Sequence, residues 1–259
     1  LRPLVPGTRP PWAVAHRGDS AARPENTPAA FDAALAARPD GIELDLQRSR
    51  DGVPVVWHDR SLRKLGLPRR RVAGLTVAEL HRLDAGAWFD KKFAGQRVPT
   101  LDAVLERYGG RTALLLEVKL RGGRPAAMRH RALAEAAAEA LEARGLLDAA
   151  FLLCFGMGPL EAARARVPGA RCVLNLDQAP PRTAAFRRAA EGLAALCVNV
   201  RALDARLVAE AHGLGKPVLT FTCNTPEAVD RALSAGADGI LSDRPGWLQR
   251  RLSGRGGDR

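Results

Sequence analysis

The stretch Gly41-Ile42-Glu43-Leu44-Asp45-Leu46-Gln47-Arg48-Ser49-Arg50-Asp51-Gly52-Val53-Pro54-Val55-Val56-Trp57-His58-Asp59 holds two strand-like apolar runs with only a short turn between them. A parallel crossover needs about a dozen residues or more, and Arg50-Asp51-Gly52 is too short for one. Asp-Gly is a strong hairpin signal, so the run 53–58 is expected to fold back antiparallel on the run 41–46. Side chains alternate faces along a strand, which points Glu43 and Asp45 the same way. The returning strand then delivers His58 beside Asp45.

Outward from this hairpin the chain alternates between two periodicities. Strand-like runs fall at 12–16, 41–46, 113–119, 150–155, 171–176, 194–200, 217–222 and 239–242. Helix-like stretches lie near 28–37, 101–107, 126–144, 158–166, 183–191, 203–214, 225–235 and 245–252. Eight strands, each followed by a helix, predict the α/β class and a (β/α)8 TIM barrel, with the hairpin as an extra element after the second strand. The expected organisation is one domain over residues 1–259, with an insertion at about 60–98 where the barrel rhythm lapses. Within it, Thr76 and Glu79 form a capping-box pattern for a short helix at 75–80. Thr27 and Pro28 mark another helix start, and the tail 254–259 is expected to be disordered.

Composition narrows the function classes. The 259 residues are 46% apolar, enough for a sizeable core, and carry a net charge of +12. The basic residues are spread along the chain, with short clusters at Arg69-Arg70-Arg71, Lys91-Lys92 and Arg250-Arg251. A nucleic-acid binder concentrates charge in one arm or helix and interleaves aromatics with it, so no nucleic-acid partner is expected. A basic surface does favour anionic small molecules. No apolar run reaches the length of a membrane span, and the N-terminus lacks a hydrophobic signal core. Cys154, Cys172, Cys197 and Cys223 sit in apolar runs without Cys-x-x-Cys spacing, which reads as buried reduced thiols and a cytoplasmic setting.

The residues that carry chemistry lie at strand ends. Glu43 and Asp45 share a face, and Glu117 and Lys119 share another on a neighbouring strand. Inward carboxylates need a counter-charge: a divalent cation, or an ion-pair network with nearby arginines. All-oxygen ligation suits Mg2+ or Ca2+, whereas Zn2+ favours His or Cys. Arg17 offers a planar fork for phosphate oxygens, Lys119 a point charge, and Gly18 a close backbone turn. His16 and His58 are the two histidines placed for function, with Asp59 able to orient the second. His81, His130 and His212 lie in charged helical stretches and read as surface residues. Glu25 reads as helix-start residue or as a partner reaching the site, and Trp57, Trp88 and Phe221 as core or as contacts for a substrate group.

These pieces, in this order, resemble the glycerophosphodiester phosphodiesterase family. The resemblance also rests on Pro24-Glu25-Asn26-Thr27, Pro99-Thr100-Leu101 and the closing stretch from Gly236 to Pro245. Two departures stand out. Cys154-Phe155 replaces the usual Ser-Phe, and Phe221 stands in Phe221-Thr222-Cys223-Asn224 where the family usually has Trp. The resemblance implies one divalent metal held by Glu43, Asp45 and Glu117, phosphate binding by Arg17 and Lys119, and acid/base work by His16 and His58. It further implies a cap over the site from the insertion. The implied reaction gives glycerol 3-phosphate and an alcohol, through attack of the glycerol 2-hydroxyl and opening of a cyclic phosphate by water. Two alternatives remain: a lyase that releases the cyclic product, and a non-catalytic phosphodiester-binding barrel.

Overall fold

Alternation along each strand sends one set of side chains into a closed ring and the other against a layer of helices. The computed structural model describes residues 11–120, 127–178, 188 and 190–254. Its strands are β1 (Trp12–His16), β2 (Gly41–Arg48), β3 (Pro54–Val56), β4 (Ala113–Val118), β5 (Ala150–Cys154), β6 (Cys172–Leu176), β7 (Ala195–Asn199), β8 (Val218–Phe221) and β9 (Gly239–Ser242). Every strand except β3 joins a parallel ring, which closes where β1 pairs with both β9 and β2. The expected (β/α)8 barrel is therefore present, and the run after the second strand stands outside the ring.

The hairpin forms as the Asp-Gly turn requires. β3 pairs antiparallel with the far end of β2, Val56 opposite Leu46 and Pro54 opposite Arg48. Trp57 N donates to Asp45 O at 2.9 Å, which brings His58 level with the end of β2. β2 thus serves three pairings: it lies between β1 and β4 within the ring, and its end extends beyond the ring to hold β3.

Inside the ring, Trp12, Val14, Leu115, Phe151, Leu153, Val173, Cys197, Leu219 and Leu241 form a closed apolar plug. Large and small residues complement one another there, as interior packing density demands. A Cβ on Gly239 would lie 3.0 Å from Leu219 Cγ and 3.5 Å from Trp12 Cε3, so the bulk of Trp12 depends on a neighbour without a side chain. The outward set, including Ile42, Leu44, Leu116, Leu152 and Val198, packs on the helices in a second and larger core.

The described helices are α1 (Pro28–Ala36), α2 (Val77–Leu80), α3 (Leu101–Tyr108), α4 (Ala127–Glu142), α5 (Met157–Arg166), α6 (Ala205–Gly213), α7 (Pro226–Ala235) and α8 (Pro245–Leu252). Thr27, Thr100, Asp204 and Thr225 each cap a helix through a side-chain oxygen, a contact of about 1 kcal/mol. The helix expected over 183–191 lies largely outside the described residues, as does the tail after Gly254. Between β3 and α3, three 3-10 turns and α2 surround their own small core of Val55, Trp57, Leu62, Val72, Leu75, Leu80, Ala85 and Val98. α2 carries the expected capping box between Thr76 and Glu79. Trp57 is spent in that core, which takes it out of contention as a substrate contact.

The four cysteines are free and buried. Burial pushes the thiols of Cys154, Cys172 and Cys223 up to about 12, so they stay protonated and inert. No described helix is long and apolar enough to cross a membrane. Of the histidines read as surface residues, His81 is exposed, but His130 and His212 are half-buried. His212 Nε2 lies 2.7 Å from Asp238 Oδ2, which also accepts from Val218 N. The periodicity of α6 carries no sign of this partner, because Asp238 comes from the turn before β9.

Candidate active site

β1 ends in a turn that only certain residues tolerate. Arg17 takes φ +57° and Gly18 φ +83°, both left-handed. A Cβ on Gly18 would stand 2.7 Å from the carbonyl carbon of Ala30, so the chain passes flush against α1. Arg17 N donates to Glu43 O at 2.9 Å and lies 3.1 Å from Glu43 Oε2. The turn thereby fixes His16 and Arg17 at the rim of the ring beside β2.

Below them lie the three carboxylates. Asp45 is fully buried and Glu43 and Glu117 nearly so, and one oxygen of each lies within 4.8 Å of the others. Lys119 Nζ reaches Glu117 Oε1 at 2.6 Å and Asp45 Oδ1 at 3.0 Å, and Arg17 Nε stands 3.2 Å from Asp45 Oδ2. Asn26, in the left-handed region at φ +59°, brackets Asp45: its Nδ2 donates to Asp45 Oδ2 at 2.7 Å, and Asp45 N donates to its Oδ1 at 3.2 Å. Burial works against ionisation of Asp45, but Lys119 and Arg17 outweigh it and hold the group below the usual carboxylate range. Glu43 is the reverse. Burial, then repulsion from Asp45 and Glu117, raises it well above that range. Glu117 is also raised, by burial first and by Asp45 second.

This set fits a hard divalent cation. Glu43 Oε1 is buried with no hydrogen-bond partner, and an orphaned oxygen of this kind costs about 1–3 kcal/mol or more. Oxygens on opposite sides of a Mg2+ or Ca2+ ion bound at about 2.0–2.6 Å are separated by about 4–5 Å, matching the mutual spacing here. The two cations supply part of the counter-charge without reaching Glu43 Oε1.

Each of the two histidines at the mouth is gripped by a carboxylate. His58 Nδ1 lies 2.9 Å from Asp59 Oδ1, and that hydrogen bond does most to draw Asp59 down to about 2, with Lys64 assisting. His16 Nδ1 lies 2.6 Å from Oδ1 of Asp243, just past β9, and its Nε2 is 3.9 Å from Glu43 Oε2. Burial opposes ionisation of Asp243, yet hydrogen bonds from His16, Asn224 and Ser20 hold it below its usual range. An ionised carboxylate only accepts, so Nδ1 of His16 carries the proton and Nε2 is the nitrogen that faces the carboxylates. Sequence reasoning missed Asp243, Asn224 and Asn26. Asp243 and Asn26 lie in the stretches that carry the family resemblance, but their partners are distant in sequence.

A cavity of about 620 Å³ opens above these groups, lined by His16, Arg17, His58, Glu117 and Lys119. Leu120, Phe155, Val200 and Phe221 also line it, with Phe155 and Phe221 edge to face at 5.9 Å between ring centroids. The sequence-selected residues thus converge, with Glu43 and Asp45 beneath the lining. Glu25 stands behind it, its Oε2 3.2 Å from Arg17 NH1. Trp88 does not line the cavity; its ring lies under Lys64.

Fold and cavity together define a TIM barrel whose mouth is equipped to bind an anionic phosphate ester beside a cluster of hard oxygen ligands. The glycerophosphoryl diester phosphodiesterase family model matches residues 16–247, and the chain belongs to that family. A glycerophosphodiester phosphodiesterase of Caldanaerobacter subterraneus subsp. tengcongensis is 31% identical over 237 residues, spanning 91% of this chain and 95% of its own. Among solved structures, an Oleispira antarctica phosphodiesterase in complex with the product sn-glycerol-3-phosphate superposes with a TM-score of 0.82. It is 28% identical and covers 94% of this chain and 97% of its own. A glycerophosphodiester phosphodiesterase of Thermotoga maritima has a TM-score of 0.73 at 25% identity, over 93% of this chain and 98% of its own.

Proposed function

We propose that this chain hydrolyses glycerophosphodiesters to glycerol 3-phosphate and an alcohol with the aid of one divalent cation, Mg2+ or Ca2+. The observation that carries this reading is the joint exposure of His16, His58, Arg17 and Lys119 to one cavity directly above three clustered carboxylates. Glu43, Asp45 and Glu117 would hold the ion, which supplies Lewis-acid stabilisation of charge developing on a phosphate oxygen. Arg17 binds the phosphate through its fork, and Lys119 adds a second positive charge in a setting too dry to screen it.

His16 and His58 divide the proton work. Displacement at phosphorus needs one group to take a proton from the attacking hydroxyl and another to give one to the leaving oxygen. Each imidazole is oriented through Nδ1 by an aspartate, which also steadies the imidazolium when it forms. In the route suited to a glycerol substrate, the 2-hydroxyl attacks phosphorus, the alcohol leaves with a proton, and water then opens the cyclic phosphate. No residue of the segment 60–98 lines the cavity, so the expected cap gives way to a segment that stands beside the site, and the buried free thiols suit a reducing, cytoplasmic setting.

Phosphorus NMR of a glycerophosphocholine or glycerophosphoethanolamine digest tests the reading. Glycerol 3-phosphate should accumulate with added Mg2+ or Ca2+ and stop accumulating with excess chelator. A persistent cyclic phosphate would assign a lyase instead, and binding without turnover a non-catalytic barrel.

A further inference from the structure

Lys64 lies in the 3-10 turn Arg63–Leu65 of the insertion and does not line the catalytic cavity. Its ammonium nevertheless touches the supports of two functional groups at once. Lys64 Nζ is 2.8 Å from Glu25 Oε1 and 3.1 Å from Asp59 Oδ2. The remaining oxygens of those carboxylates face inward: Glu25 Oε2 to Arg17 NH1 at 3.2 Å, and Asp59 Oδ1 to His58 Nδ1 at 2.9 Å. Each carboxylate therefore divides its two oxygens between Lys64 and one group of the site. Behind the ammonium, the ring of Trp88 lies 4.6 Å from Nζ and restricts its positions.

We infer that Lys64 is a positioning residue that sets the phosphate-binding Arg17 through Glu25 and the acid/base His58 through Asp59. The physical need is plain. Ligand atoms of Glu25, His58 and Asp59 lie within 4.8 Å of one another, a spacing at which two carboxylates repel. Lys64 is the cation between them, and with three donors on one nitrogen it can hold both. The side chains are half-buried, with Glu25 17% and Lys64 25% exposed, so solvent screens the contacts only in part. Without the ammonium, Glu25 and Asp59 would turn apart, carrying the Arg17 fork and the His58 ring with them. The insertion then sets the geometry of the chemistry from outside the cavity.

This inference rests on the proposed hydrolysis for its kinetic readout only. Lys64→Met keeps the length of the stem and removes the charge. It should lower kcat by about ten- to a hundredfold, the cost of slightly misplaced groups, while the melting temperature stays near that of wild type. Lys64→Arg should restore most of kcat. Adding Lys64→Met to Asp59→Asn should cost less than it does alone, since the path to His58 is already cut and only the path to Arg17 through Glu25 remains. Unchanged kcat in Lys64→Met, or equal loss in Lys64→Met and Lys64→Arg, would overturn the inference. A second readout needs no turnover: NMR of the Arg17 Nε–H and the His58 ring should show both groups ordered in wild type and mobile in Lys64→Met. Equal order in the two proteins would refute the positioning role even if wild type proved inactive, an outcome that by itself would sink only the hydrolase reading.

Discussion

The mouth of the barrel has two unlike arcs. On β9, β1, β2 and β4, nearly every inward side chain at the strand ends is charged and held by another: His16 by Asp243, Asp45 by Asn26, Glu117 by Lys119. At or just past the ends of β5, β6, β7 and β8 the same level carries Phe155, Asp177, Asn199, Val200, Arg201 and Phe221, and the two phenylalanines lean on each other. In the first arc each buried charge requires a partner, which ties one side chain to the next. Among the described residues the second carries charge only on the exposed Asp177 and Arg201, so its side chains can change without stranding a buried charge. Both departures from the family pattern, Cys154-Phe155 and Phe221, fall on the second arc, as they should if the proposed chemistry belongs to the first arc and the choice of alcohol to the second.

The comparison breaks if the charged arc tolerates substitution. His16→Ala and His58→Ala should each reduce kcat by about two orders of magnitude or more, with smaller changes in KM. A nitrophenyl diester, whose leaving group needs little protonation, should rescue whichever variant lacks the acid and leave the other impaired. Equal rescue of both would argue against a division of labour. Arg17→Lys should be nearly as damaging as the histidine variants, because an ammonium cannot reproduce two-point contact with phosphate.

Stability without metal sharpens the same contrast. Glu43 has its folded-state pKa raised, by burial first and by its carboxylate neighbours second. The native state then binds a proton that the unfolded chain releases, so this group's contribution is full below its unfolded pKa of about 4.3 and is lost as pH rises through the folded value. In chelator, melting temperature should fall as pH climbs above about 5, and Glu43→Gln should flatten that fall. A Glu43→Gln protein with the same slope as wild type would mean that the carboxylate is not strained in the empty site.

Much of this was legible in the sequence, for reasons that differ by level. Strand order and the hairpin followed from local signals: apolar runs, a three-residue Asp-Gly turn, and Thr-Pro or Thr-x-x-Glu caps. The candidate site was legible because a barrel of this kind presents its strand ends at one mouth, and Glu43, Asp45 and Glu117 cluster there. What stayed hidden is the pairing. His16 meets Asp243 across 227 positions, and His212 meets Asp238 from a different element. Lys64 is one cation among ten in the segment 60–98, and only its position between Glu25 and Asp59 distinguishes it. Periodicity reports which face a residue occupies and is silent on which partner it meets there.

Smaller effects should come from the apolar arc and the rim. Phe155→Ser or Phe221→Ala should raise KM for a diester with a bulky apolar alcohol by about tenfold, the worth of one lost apolar contact. kcat for glycerophosphocholine should hardly move. A loss of kcat with both alcohols would place these rings in the chemistry and erase the distinction between the arcs. Smallest of all, exposed Arg69, Arg70 and Arg71 should steer anionic substrates, so kcat/KM should decline as salt rises. Replacing all three with Gln should flatten that decline by up to a few-fold; an unchanged salt profile would leave them as solvated surface charge.

If three carboxylates hold a divalent ion, the charged arc should be idle without it. Turnover of a glycerophosphodiester, measured while Mg2+ or Ca2+ is titrated into chelator-treated wild type, Asp45→Asn and Glu117→Gln, tests it most directly. The ion should restore activity to wild type and little or none to either variant, with all three proteins folded. Full activity of chelator-treated wild type, or of Glu117→Gln without added ion, would contradict it.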